Sequence, residues 1–499
     1  MITAIKNFKI KHLRIYTLTC AVLIAVLTIL FASSVASPIY TIFRSDGFDN
    51  DPQYFLYIGK LILRGQKPYI DIYDHKGLYI FLYYVLANMM GGKIGLFILE
   101  ILIYSFFYYF FILTLREMFD NNAKTAQICT LFFFIIFTFM LQGGSDVDPQ
   151  FPLIALLMYF YFKGIKNKDF KSFMFGNIVA GLLAGMDINI RMSDAIVPFS
   201  AVVFYGYFAI KNKKYTYIVR DALLCLAGVA VMCGIPLIVA YSGGYLKEMI
   251  SSMSSSNAGY ILSKRFLFNP AQTSCYIMLL VALPLLIISL IQLKKKIDKD
   301  EWVFYLISSI ICYPFELLIC LFPHYFLPMI PYLIIYFARW IKEFNFVKNN
   351  NKTENIFLYV SLATSVIAMA IYPMFYYLSP IYKKDTVMNQ YIEKVCGKDN
   401  SDIYALDYGV SFYLNGNFTV KHKYFSSQTW HLSYEKDVIS EIEAYLKSGQ
   451  VKYLITGDYS ILRAENKATV DTLLKDLDNL ELVVDTHEGN KYIDIYRLN

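Results

Sequence analysis

The chain has 499 residues, is 57% hydrophobic and 17% aromatic, and carries only 17% charged residues. That composition excludes an ordinary soluble enzyme and describes a polytopic membrane protein. The net charge of +7 gathers in short loops between apolar runs, so it needs no nucleic acid to explain it.

In chain order, the first element is a basic lead followed by an apolar run, "MITAIKNFKIKHLRIYTLTCAVLIAVLTILFASSVAS". It is read as an uncleaved first span, with Lys6, Lys9, Lys11 and Arg14 held in the cytoplasm. Further spans are expected near 94–115, 125–142, 151–165, 173–190, 195–210, 221–241, 274–293, 302–322, 324–341 and 356–378. Several are short or contain proline, as expected of helices that border a cavity instead of lipid. Six of the eight cysteines fall inside apolar runs, where cysteine acts as a small hydrophobe. No CxxC or zinc spacing occurs.

The loops at 163–171, 211–220, 294–301 and 339–352 are short and mostly basic, which places all four in the cytoplasm. That requirement decides the role of "GLYIFLYYVLANMMGG", residues 77–92. As a helix it reaches only about 24 Å, short of a hydrocarbon core of about 30 Å. Counting it as a span would also put the basic loops on inconsistent sides. It is therefore expected to lie along the outer interface. About eleven spans result, with 37–93, 143–149, 186–194, 242–273, 323–324 and the C-terminus outside.

After Leu378 charge rises and long apolar runs end. Strands are expected over 402–409, 451–458, 480–487 and 491–498, with helices over 435–449 and 467–480 and a hairpin turn at His487–Asn490. The fold class expected is thus a polytopic α-helical membrane domain, 1–378, followed by a small extracytoplasmic α/β domain, 379–499. No nucleotide-binding glycine fingerprint precedes a helix there.

The acids of the outer loops fall at span ends, where ionisable residues are functional candidates. Asp49 and Asp51 stand in one loop, Asp146 and Asp148 in another. A carboxylate there offers a general base to an acceptor hydroxyl or amine, while basic groups hold a departing phosphate. The basic candidates are Lys76, His75, Arg191, His324 and the Lys264–Arg265 pair, arginine through its bidentate fork and lysine as a point charge. Asp146 and Asp148 also offer oxygen ligands to a hard divalent cation.

The stretches "DPQYFLYIGKLILRGQKPYIDIYDHKGLYIFLYYV", "GGSDVDPQFPLIALLMYFY", "GMDINIRMSD" and "FPHYFLPMIP" together resemble the bacterial GT-C membrane glycosyltransferases. That superfamily includes protein O-mannosyltransferases and the lipid A aminoarabinose transferase. The resemblance covers roughly residues 16–340. It implies a sugar donor linked to polyprenyl phosphate and a cell-envelope glycan, lipid or protein as acceptor. It also implies a catalytic base in the first loop at Asp51, before Tyr54, with Asp49 as the alternative. A lysine that meets the lipid phosphate is implied at Lys76, and a second acidic loop at Asp146 and Asp148. Leu78 stands where the family has proline at the start of its interfacial helix. The rival reading is a transporter or flippase, against which the sequence shows no repeat between its halves and no Walker motif.

Overall fold

The computed structural model describes residues 2–32, 36–38, 51–119, 146–256, 286–319 and 327–343. Towards the C-terminus it describes 394–396, 403–406, 421–425, 436–456, 471–477, 480–485 and 494–498, with a few single positions elsewhere. The chain is mostly helical, with a small C-terminal sheet. It divides into two units. One comprises Met1–Pro38, Leu96–Ile238 and Phe266–Met374; the other comprises Ile39–Gly95, Val239–Arg265 and Phe375–Asn499.

The helices are α1 (Ile2–Phe31), α2 (Asp51–Leu63), α3 (Leu78–Met89), α4 (Lys93–Met118), α5 (Phe151–Asn167), α6 (Phe170–Ile190), α7 (Ile196–Lys211), α8 (Tyr215–Gly243), α9 (Leu246–Ser251), α10 (Lys299–Ile319), α11 (Ile330–Glu343) and α12 (Lys436–Lys447). Among the described residues, five stretches are long and apolar enough to cross a membrane: Arg14–Phe31, Lys93–Met118, Phe170–Ile190, Met192–Lys211 and Tyr215–Gly243. The expected spans at 151–165, 302–322 and 324–341 fall on α5, α10 and α11, which are shorter or start with charged residues. Those at 125–142 and 356–378 lie almost wholly outside the described residues, as does most of 274–293.

In the first unit, α5 and α6 form a tight antiparallel pair. Lys168 turns the chain in the left-handed region, at φ 53°. Asp169 then caps α6 by accepting from the amides of Lys171 at 2.9 Å and Ser172 at 3.1 Å, which satisfies donors that a helix start leaves bare. Inside the pair, the Tyr161 hydroxyl donates to Asn177 Oδ1 at 2.7 Å. Along α6, Gly181 and Gly185 let the backbone of α8 approach, because a Cβ at either would overlap the main chain around Cys225 and Val229. Small residues at such spacing are how helices pack where water gives no hydrophobic drive. The outward side of α8 is apolar and open: only 11% of its most apolar window is buried, against 61% for α6. An apolar face of that extent is compatible with contact to lipid.

The second unit holds α2, α3, α9 and the sheet. Gly59 of α2 meets the main chain of Tyr84 in α3, and Asn88 Nδ2 donates to both Leu56 O and Tyr84 O at 2.8 Å. At 12 residues, α3 is about 18 Å long, well below the thickness of a hydrocarbon core. The strands β1 (Ile403–Leu406), β2 (Tyr453–Thr456), β3 (Leu480–Asp485) and β4 (Asp494–Leu498) lie in the order β1-β2-β4-β3. β1 and β2 are parallel, and the other neighbours are antiparallel. The expected hairpin turn at His487–Asn490 lies outside the described residues.

Helix α12 runs between the parallel strands, as a parallel pair requires. Its Val438, Ile442 and Leu446 pack with Tyr404, Leu406, Leu454 and Leu473 into one core, on which Tyr73 from the loop after α2 also rests. Residues 421–425 continue that contact. The Tyr73 amide donates to Lys423 O at 3.0 Å, and the Tyr73 and Tyr424 rings lie 4.9 Å apart. Phe425 packs against Tyr54 and Tyr57 of α2, with ring centroids 5.6 Å and 5.4 Å apart. The loop after the first apolar helix and the C-terminal residues therefore belong to one packed body.

Candidate functional site

The candidate residues divide between the two units. In the second unit, Asp51 is the first residue of α2 and half-buried. A carboxylate there is favoured by the bare amides and positive end of the helix. Tyr54, one turn on, is buried, and its hydroxyl donates to Tyr73 O at 3.3 Å. The chain then runs through a compact loop. Tyr69 adopts φ 65° and donates its amide to Ile72 O at 2.7 Å, and the Tyr69 hydroxyl donates to Lys76 O at 2.8 Å.

Asp74 is the buried pivot of this loop, 3% exposed. Its Oδ1 accepts the Lys76 amide at 2.7 Å, and its carbonyl accepts the Ser252 hydroxyl at 2.6 Å. His75 Nδ1 lies 3.7 Å from the same Oδ1. Burial raises the Asp74 carboxyl to about 6, and the charge of Asp51 adds to the rise. The amide and ammonium of Lys76 and the Tyr54 hydroxyl pull the other way. Tyr69 is pushed well above the ordinary phenol range by burial first, then by the charge of Asp74. Asp51, Tyr54, Asp74, His75 and Lys76 are thus gathered on one helix start and one turn. Asp49 lies outside the described residues.

In the first unit, Asp146 and Asp148 are 1% and 0% exposed, at the short 3-10 turn Asp148–Gln150 that leads into α5. Asp148 Oδ1 accepts the Tyr104 hydroxyl of α4 at 2.7 Å. Arg191 follows α6 in an extended conformation, and its Nε donates to Asp194 Oδ1 at 2.8 Å. Asp194 lies within electrostatic reach of Asp146, Asp187 and Gln150. The structure thus brings Asp146 and Arg191 into one buried neighbourhood, joined by Asp194. The carboxylate oxygens of Asp187 have no hydrogen-bond partner among the described residues. His324 and the Lys264–Arg265 pair lie outside those residues.

A hard cation would need several oxygen ligands converging on a point. Among the described residues, no three Asp, Glu, His or Cys side chains come close enough to hold a metal ion, so Asp146 and Asp148 gain no third ligand there.

Four further residues join these clusters: Tyr104 from outside the motif stretches, and Asp74, Asp187 and Asp194 from within them. One signal marks a fifth, Gln150. The tripeptide Asp-Pro-Gln occurs at 51–53 and again at 148–150, and each copy opens a helix with a buried glutamine. No protein-family model matches the chain, and no curated relative does either.

Proposed function

We propose that the chain is an integral-membrane glycosyltransferase of the GT-C kind. It moves a sugar from a polyprenyl-phosphate carrier to a cell-envelope acceptor on the outer face. In this reading about eleven spans cross the plasma membrane, the N-terminus is cytoplasmic and the C-terminal α/β residues are extracytoplasmic. The observation that carries the reading is the turn at Asp74–Lys76 beside Asp51. An accessible carboxylate and a lysine fixed by its own backbone stand in the segment that resembles the family. Outside the cytoplasm no nucleotide-sugar pool exists, so a donor carried on lipid phosphate is the chemistry that such a pair suits.

Asp51 takes the proton of the acceptor hydroxyl as the oxygen attacks the anomeric carbon. The bond from that carbon to the phosphate oxygen breaks, and the lipid phosphate leaves with the electron pair. Attack opposite the leaving group inverts the anomeric centre. Arg191 is committed to Asp194, so Lys76 is the phosphate contact in this scheme. The test is mass spectrometry of cell-envelope glycans from the wild type and from a strain carrying Asp51→Asn. Loss of one glycan species in the variant is expected; identical profiles would exclude Asp51 as the base, and a wild type that transfers from no lipid-linked sugar would sink the proposal.

A transporter remains the second reading, favoured by one observation. Asp187 is buried in an apolar helix with neither oxygen partnered among the described residues, and intramembrane acids mark ion and proton paths. Solute uptake into vesicles that depends on Asp187, with no transfer from any lipid-linked sugar, would decide for it.

A further inference from the structure

We propose that Asp74 is a positioning residue for the donor phosphate: its carboxyl fixes the Lys76 backbone and sets how much of the Lys76 charge a phosphodiester meets. This rests on the glycosyl-transfer reading, in which Lys76 holds the phosphate.

The geometry gives Asp74 two holds on Lys76. Its Oδ1 accepts the Lys76 amide at 2.7 Å, so the turn that presents the lysine closes on this carboxyl. The Lys76 ammonium also lies within its electrostatic reach. Two neighbouring segments hold this turn in place. Its carbonyl accepts from Ser252, and Tyr73 beside it is bonded to Lys423 O and packed on Tyr424. With 3% of its surface exposed, its charge is poorly screened by water or salt.

Asp51 and Tyr54 face Asp74 from α2, and Tyr69, His75 and Lys76 from its own loop. From the segment 245–256 comes Tyr245, whose ring packs on Tyr69. Lys423 approaches through its backbone only, its ammonium being paired with Glu441 at 2.7 Å. Among these, Asp51 repels an anion on Asp74 and Lys76 attracts it.

The charge on Asp74 changes near pH 6. Below that it is neutral, and Lys76 presents its full charge to the phosphate. Above it, the anion offsets Lys76 and repels the ligand directly. Donor affinity should therefore fall as pH rises through about 6. His75 would give a dependence of the same sign, because a protonated imidazole also favours an anion. The experiment must separate the two.

The full-length chain in lipid nanodiscs is titrated with farnesyl methyl phosphate, a phosphodiester without a proton that titrates in this range. Affinity is measured between about pH 5 and pH 7.5. Wild type should lose about fivefold or more across that range, the scale of ordinary site-to-site coupling. Asp74→Asn keeps an amide oxygen for the Lys76 amide and should hold the acid-side affinity throughout. His75→Gln should keep the wild-type fall, and Lys76→Ala should bind weakly at every pH. Lys76-dependent binding that is flat with pH in the wild type would overturn the role of Asp74 alone. So would a wild-type fall that survives Asp74→Asn or disappears in His75→Gln. Binding indifferent to Lys76→Ala would overturn the phosphate reading and this inference together. Should Asp74→Asn fail to fold, the wild-type, His75→Gln and Lys76→Ala profiles decide by themselves.

Discussion

The Tyr104 hydroxyl donates to Asp148 Oδ1 at 2.7 Å, and both side chains are fully buried. This bond ties α4 to the start of α5 inside an apolar interior. Tyr104→Phe keeps the ring and removes the donor, so Asp148 loses a hydrogen bond that water cannot replace. The expected loss is about 1–2 kcal/mol, read as a lower midpoint in thermal unfolding of the detergent-solubilised chain. A variant as stable as wild type would show that the bond contributes nothing net.

Asp51→Asn and Lys76→Ala should fail differently. Removing the base leaves the donor held and slows transfer by about 10²–10⁴-fold, the usual worth of a positioned proton acceptor. Removing the lysine takes away a contact made before the reaction as well as during it, so donor affinity falls. Single-turnover rates and donor binding, measured side by side with lipid-linked sugar, separate the two. Near-normal transfer by Asp51→Asn would move the base to Asp49 or Asp148.

Gly59→Ala should part α2 from α3. A Cβ at Gly59 would come 2.6 Å from the carbonyl carbon and oxygen of Tyr84, and main chain cannot swing aside as a side chain can. Overpacking of this kind costs about 1–3 kcal/mol. The shift also drags the helix that starts at Asp51, so transfer activity and thermal midpoint should both fall. Gly65→Ala is a poor control for it, because Gly65 sits at φ 93°, where any side chain is strained.

Asp74→Asn should gain stability relative to the wild type as pH rises. The folded carboxyl is raised from 3.8 to about 6, so the wild type keeps its full stability below the unfolded value and loses part of it as pH rises through the folded one. The loss amounts to about 3 kcal/mol when complete. An amide does not ionise and escapes that penalty. Thermal midpoints should thus favour the variant more at pH 7.5 than at pH 4.5. A difference independent of pH would refute the burial argument.

A cysteine introduced at Lys295 should resist a membrane-impermeant thiol reagent in intact cells and react once the membrane is opened. The loop Lys294–Glu301 is basic, and basic loops stay in the cytoplasm. Labelling in intact cells would overturn the proposed topology.

Local elements were legible because their causes are local. The helix expected over 435–449 is present as α12, Lys436–Lys447, with Gly449 just past its end. The alternation in 451–458 announces β2, although its strand is shorter than the sequence pattern. The order β1-β2-β4-β3 was not legible, since alternation tells a strand its faces and not its neighbours. Of the site, the motif residues Asp51 and Lys76 stand out in sequence. Asp74 stands in the same motif, but its burial is not legible there, because what buries it comes from far along the chain: Ser252 is 178 residues away. Arg191 was readable as a cation but not as a committed one. Its partner is only three residues on, yet the extended backbone at Arg191 decides that the two meet.

The lysines that end α5 and α7 meet acids at the start of α10. Lys168 bonds Asp298 and Asp300 at 2.7 Å each, and Lys211 bonds Asp300 as well. Lys211 and Asp300 lie 89 residues apart, which a ribosome covers in roughly 4–18 s at ordinary rates. For that interval Lys211 emerges as a cation whose eventual counter-charge has not been made. In the proposed topology, the basic signal that orients the early helices is thus present before those acids are made. In that topology the same two lysines serve first as an address and later as a clasp.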